Sequence, residues 1–104
     1  MDLRLGCREK VNNEFIYHLR DGQALKKQEW IELVEQQIKV QGHEEKFATI
    51  EETVNLWNSN DDRHEVALQV YASKYCTNIS QVEIPRKINF KVVKDSMGCE
   101  QLSF

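Results

Sequence analysis

The sequence predicts an α+β fold: a small antiparallel sheet, built from an N-terminal hairpin and a C-terminal strand, covered on one face by two or three helices. Three observations predict it. Apolar and polar residues alternate through the first hairpin-like stretch and again around Phe90, the period of a half-buried strand. Between these stretches the apolar residues recur at helical spacing. The length of 104 residues suits one domain with one core.

The hairpin comes first. Leu3, Leu5 and Cys7 alternate with polar residues, as do Phe15, Tyr17 and Leu19, and Asn12-Asn13 between them is a turn signal. A two-residue Asn-Asn loop would pair 11 with 14 and set odd positions against even ones. The two apolar sets would then fall on opposite faces, since a one-residue slip flips every side chain. The sequence therefore predicts an odd-length loop or a bulge in this hairpin. Asp21-Gly22 closes the second strand.

Over residues 25–41, Trp30, Ile31, Leu33, Val34 and Ile38 fall on helical spacing, and Glu35 stands four residues before Lys39 in the favourable order. Gly42 sits where a helix C-cap glycine would. A second helix is read from Thr49 and Glu52, which have capping-box spacing, and from the stripe Phe47, Ile50, Val54 and Trp57; "NSNDD" ends it. Residues 63–76 fit a strand by alternation and a helix by stripe. Their length, with Asp62 and Glu65 at the start, favours a helix. Ile88, Phe90 and Val92 then alternate with Lys87, Asn89 and Lys91 as a strand entered from Pro85. The expected organisation is a compact domain over 1–95 and a C-terminal tail over 96–104, whose Leu102 and Phe104 are available to dock. The expected core holds Trp30, Leu33, Val34, Ile50, Val54, Trp57 and Val70.

Composition restricts function. The net charge is −3 and the pI about 5.6, so the chain lacks the global cationic drive of non-specific nucleic-acid binding. No apolar run approaches the roughly 18 residues of a membrane span, and the first ten residues carry charges where a signal peptide needs an apolar core. No lipidation box is present. Cys7, Cys76 and Cys99 are odd in number and widely spaced, which predicts reduced thiols in a cytoplasmic protein rather than a disulfide framework or a zinc knuckle. The triplet "NIS" at 78–80 fits a glycosylation acceptor but has no secretory context.

Chemistry-bearing residues collect at "NDDRHE", residues 60–65. A zinc hydrolase would need H-E-x-x-H, yet Leu68 follows His64-Glu65 and Phe47 follows His43-Glu44 at the required position. The spacing and glycine of an EF-hand are missing too. The same acids suit a helix start, with Asp61 or Asp62 as the cap and Glu65 in the first turn, where negative charge meets the positive end of the helix dipole. No nucleophile elbow, phosphate-cradling loop or dinucleotide fingerprint is present, so no cofactor and no catalytic residue is assigned.

The leading expectation is a small non-catalytic protein-binding module, an inhibitor, adaptor or antagonist, presenting Glu44, Glu45, Glu51, Glu52, Asp61 and Asp62 to a basic partner surface. The first alternative is a nucleic-acid-binding or transcription-related protein using Arg86, Lys87, Lys91 and Lys94, with Phe90 between them. The competing account of those lysines is protection of an edge strand. The second alternative is a small metal-dependent hydrolase around His64. No membrane partner is expected, and a homodimer through an edge strand or an exposed tryptophan stays open.

Overall fold

The computed structural model describes residues 3–56, 60–75 and 83–104. Trp57, Cys76 and the triplet at 78–80 lie outside them. The architecture is α+β. Strands β1 (Leu5–Val11), β2 (Glu14–Leu19), β3 (Ala24–Lys26), β4 (Lys91–Lys94) and β5 (Glu100–Ser103) form one antiparallel sheet in the order β3-β2-β1-β5-β4. Helices α1 (Lys27–Gln41), α2 (Glu44–Thr53) and α3 (Arg63–Val70) follow β3, and a π-helical turn over Tyr71–Tyr75 continues α3.

The hairpin resolves its register by a bulge. Val11 pairs with Glu14, and Asn12 and Asn13 both have positive φ, 51° and 66°. The loop therefore has the two-residue form whose backbone twist matches the strands. The odd-length loop does not occur. The register instead shifts between Leu5 and Cys7, so Leu5 pairs with Leu19 while Cys7 pairs with His18. Gly6 is the extra residue, and a Cβ there would come within 3.0 Å of the His18 carbonyl oxygen. This one insertion decides the faces. Leu5, Leu19 and Tyr17 turn to the core together, Arg8 turns inward opposite Tyr17, and Cys7 turns to the opposite face.

The most regular helix is α1. The Glu29 carboxylate accepts the Lys26 N–H at 3.4 Å, in the first turn. Gly42, at φ 69°, ends it in the left-handed conformation, and the His43 N–H reaches back to the Ile38 carbonyl at 3.0 Å. Trp30, Val34 and Ile38 are its buried stripe, and Leu33 is half-buried at its border. The Trp30 ring lies 4.7 Å from that of Tyr17 and its Nε1–H donates to the Leu3 carbonyl.

Helix α2 begins and ends earlier than its sequence signals suggested. Thr49 lies inside it, and its hydroxyl donates to the Glu45 carbonyl one turn back at 3.2 Å. The T-x-x-E spacing is thus an interior coincidence rather than a cap. The helix stops at Val54, which is buried, extended and bridged in parallel to Ile88.

In α3 every residue from Glu65 to Val70 is buried, which makes it the central helix of the core. It packs against α1 and α2, while its π-helical continuation reaches β1. The segment expected as a C-terminal tail holds β5, which pairs with both β4 and β1. Leu102 there is half-buried against the core. Four residues that alternate poorly gave no strand signal by themselves; pairing with β4 supplies the hydrogen bonds that make them one.

Cys7 and Cys99 are joined by a disulfide, with Cα atoms 5.6 Å apart. For these two cysteines the expectation of reduced thiols is overturned. The partners are 92 residues apart in sequence, and only the neighbouring positions of β1 and β5 bring them together.

Candidate functional site

The start of α3 organises two polar clusters on opposite sides. Asp62 is the N-cap, and its side chain accepts the His64 N–H at 3.0 Å. From that fixed start, Asp61 and Glu65 point toward the sheet, whereas His64 points toward α1 and α2. "NDDRHE" therefore splays around a helix start and does not converge on one pocket.

The sheet-side cluster is buried. Arg8 is 1% exposed, Glu65 4%, and Tyr17 and Gln69 fully buried. Nη1 of Arg8 lies 3.4 Å from Glu65 Oε1 and Nη2 lies 3.3 Å from Asp61 Oδ2. The guanidinium also sits 4.2 Å from the Phe15 ring centroid, over its face. Glu65 Oε2 receives Lys27 Nζ at 2.8 Å, while Oε1 accepts the Tyr17 hydroxyl. Gln69 Nε2 donates to the Tyr17 oxygen at 2.8 Å and to Glu65 at 3.2 Å. One carboxylate thus has two cations, a phenol and an amide around it. Such saturation is what a buried charge requires. These contacts tie α3 to β1, β2 and the start of α1, so this cluster reads as structural.

Burial, followed by the Glu65 hydrogen bond and its negative charge, pushes the Tyr17 phenol well above the ordinary tyrosine range, against the smaller opposing pull of Arg8. The folded state then holds a proton that the unfolded chain releases above about pH 10. Tyr17 contributes its full stabilisation below that pH and loses it as pH rises further. Stability should fall by up to roughly 1.4 kcal/mol per pH unit from this group above about pH 10. Urea unfolding across pH 9–11.5 checks this: the alkaline slope should be shallower in Tyr17→Phe, and an unchanged slope would contradict the assignment.

The helix-side cluster is accessible. His64 is half-exposed, with Nδ1 3.1 Å from Glu51 Oε2 and Nε2 3.5 Å from Glu35 Oε2. Both nitrogens donate at once only in the imidazolium form. The two carboxylates flank opposite ring nitrogens. The Phe47 ring meets the His64 imidazole edge to face at 5.5 Å. Between α1 and α2 these side chains open into a groove of about 170 Å³, lined by Glu35, Ile38, Lys39, Glu44, Phe47 and His64. Its floor is apolar, and its rim is mixed, with Glu35 and Glu44 standing beside Lys39 and His64. His43, beside it in sequence with Glu44, is occupied by the Tyr71 hydroxyl at 2.9 Å from Nδ1.

The residues expected to carry an acidic face divide accordingly. Glu44, Glu45 and Glu52 stand exposed on α2, and Glu51 sits beside His64. Asp61 is drawn in toward Arg8 and Asp62 is the α3 cap, so both hold structure. The basic set also divides. Arg86 and Lys87 are exposed just before the buried Ile88, and Lys91 and Lys94 end the edge strand β4. Being three apart in a strand, these two lysines emerge on opposite faces. Phe90 is half-buried, with its ring 6.2 Å from that of Phe104. Lys74 Nζ lies 4.8 Å from the centroid of the Phe104 ring, so a cation stands over this aromatic pair.

Sequence reasoning missed Arg8, Tyr17, Lys27 and Gln69 as a group, and Glu35 as a partner of His64. Two signals pointed to the first group: Gly6 inside a strand pattern, which marks a bulge, and Gln69 inside the apolar run "VALQVYA". Among the described residues, no helix is long and apolar enough to cross a membrane. No family model matches the chain, and comparison with curated proteins and with solved structures finds no match.

Proposed function

We propose that the protein is a small non-catalytic protein-binding module whose α1–α2 groove receives a basic side chain of a partner. The observation that carries this reading is the groove itself: Ile38 and Phe47 as floor, the two carboxylates Glu35 and Glu44 on a rim that also holds the single ammonium of Lys39, and Glu51 behind His64. Lysine and arginine have an apolar stem and a charged head, and such a site matches both parts. The volume of about 170 Å³ falls below the roughly 300–1,000 Å³ typical of small-molecule sites, so it fits one side chain better than a metabolite. Glu45 and Glu52 extend the negative field along α2 and favour encounter with a basic surface. The proposed setting is soluble.

Fluorescence anisotropy with labelled basic, neutral and acidic peptides tests the proposal. Basic peptides should bind with an affinity that falls as salt rises, and acidic ones should not. The pair Glu35→Lys with Glu44→Lys should weaken basic-peptide binding by about tenfold or more, equivalent to about 1.4 kcal/mol. Lys91→Gln with Lys94→Gln should leave it unchanged. Equal binding by the charge-reversed protein, or by acidic peptides, would overturn the reading. Salt-dependent retention of oligonucleotide in a filter assay, lost in the lysine variant, would favour the nucleic-acid alternative instead.

A further inference from the structure

We propose that Cys7, Cys99 and Asp95 form, in the reduced protein, a binding site for a thiophilic divalent cation of the zinc class. One ligand atom from each lies within 4.8 Å of the other two. Three separate features of the fold produce that convergence. The Gly6 bulge turns Cys7 to the face of the sheet away from the helices. The pairing of Arg8 with Glu100 sets β5 alongside β1, which places Cys99 beside Cys7. The turn between β4 and β5 then brings Asp95 back over Cys99: the Asp95 N–H donates to the Cys99 carbonyl at 3.1 Å, and Gly98, at φ 83°, donates to the Asp95 carbonyl at 3.0 Å.

The Asp95 carboxylate is already oriented. Its Oδ1 accepts the N–H groups of Met97 and Cys99, each at 2.9 Å. Hydrogen bonds of this kind hold a metal-ligating carboxylate in place, and one of its oxygens lies within 4.8 Å of both sulfurs. Asp95 and Cys99 have three residues between them, within the two-to-four spacing of zinc ligands on a tight turn. Two thiolates and a carboxylate are a donor set suited to zinc. Zn–S bonds of about 2.3 Å at a tetrahedral angle need the sulfurs roughly 3.8 Å apart, a separation that side-chain rotation can supply with the backbone held in place. Asp95 is exposed and Cys7 half-buried, so solvent can fill the fourth position.

The oxidised and reduced states then do one job by different chemistry. A dithiol reductant gives two electrons and two protons to the Cys7–Cys99 disulfide and is itself oxidised to a disulfide. The two thiols release their protons on binding the cation. Either link clips the β4–β5 hairpin to β1, so the hairpin stays attached in a reducing compartment where the disulfide does not persist.

Cobalt(II) titration under anaerobic conditions tests the site. Cys76→Ser serves as the starting protein, because Cys76 is a further thiol. After reduction with a phosphine, it should bind one cobalt per chain with thiolate-to-cobalt charge-transfer absorption, and zinc should displace the cobalt. Cys99→Ser should abolish that absorption, Asp95→Asn should weaken binding at least about tenfold, and the oxidised protein should show none. Absence of the absorption at millimolar cobalt, its persistence in Cys99→Ser, or unchanged affinity in Asp95→Asn would overturn the proposal.

Discussion

Glu65→Leu and Arg8→Met should each destabilise the protein by about 3–5 kcal/mol, while the double variant should be more stable than either. The reason lies in what each single change strands. Arg8 is 1% exposed and Glu65 4%. Removing Glu65 leaves the guanidinium with Asp61 as its counter-charge and takes from Tyr17 and Gln69 a shared acceptor. Removing Arg8 strips Asp61 of its cation and leaves Glu65 dependent on Lys27. Replacing both residues by apolar groups of similar size removes both of their desolvation costs, while Asp61, at the edge of the cluster, still lacks the Arg8 cation. Lys27, nearly half exposed at 44%, can then turn to water, and Tyr17 and Gln69 keep each other. Of a total stability of about 5–15 kcal/mol for a domain of this kind, either single change takes a large share. A double-mutant cycle by urea denaturation measures the coupling. Additive losses, or single losses near 1 kcal/mol, would show that the cluster is not a closed electrostatic unit.

That cluster also shows what the sequence could and could not reveal. The α+β class, α1 with its Gly42 stop, and the helix after Asp62 were readable because each rests on local chemistry: periodicity, a cap, a left-handed glycine. The need for either an odd-length loop or a bulge was readable too, because two apolar sets on one hairpin must share a face. The bulge's position was not. Once Gly6 takes the extra place, Cys7 leaves the face it shared with Leu5 in simple alternation, and Arg8 enters the core. Both the disulfide and the buried ion cluster follow from that one slip. Neither has a spacing signature, because their partners lie 92 and 57 residues away. The α1–α2 groove was hidden for the same reason: Glu35 and His64 meet only after α3 is seated between the other helices. Strand β5 has a short, weakly alternating sequence, and its identity comes from its neighbours.

Reduction of the Cys7–Cys99 disulfide in metal-free buffer should cost roughly 4–5 kcal/mol, the chain-entropy value for closing a loop this long. The link spans 92 residues, nearly the whole chain. Its removal therefore restores more freedom to the unfolded ensemble than a short cross-link would. In the folded state the loss should be local first. The register of β5 on β1 rests on Arg8 and Glu100, whereas β5 pairs with β4 through four positions. The hairpin should loosen as a unit, with β4 and β5 keeping their mutual pairing. Hydrogen exchange distinguishes this from uniform weakening: amides of residues 91–103 should gain exchange most in Cys7→Ser with Cys99→Ser, while Trp30, Val34 and the α3 amides exchange only with global unfolding. Two observations would contradict this account. One is a stability loss under about 1 kcal/mol. The other is an exchange increase spread evenly over α1 and α3, which would place the tether within the core's own cooperative unit.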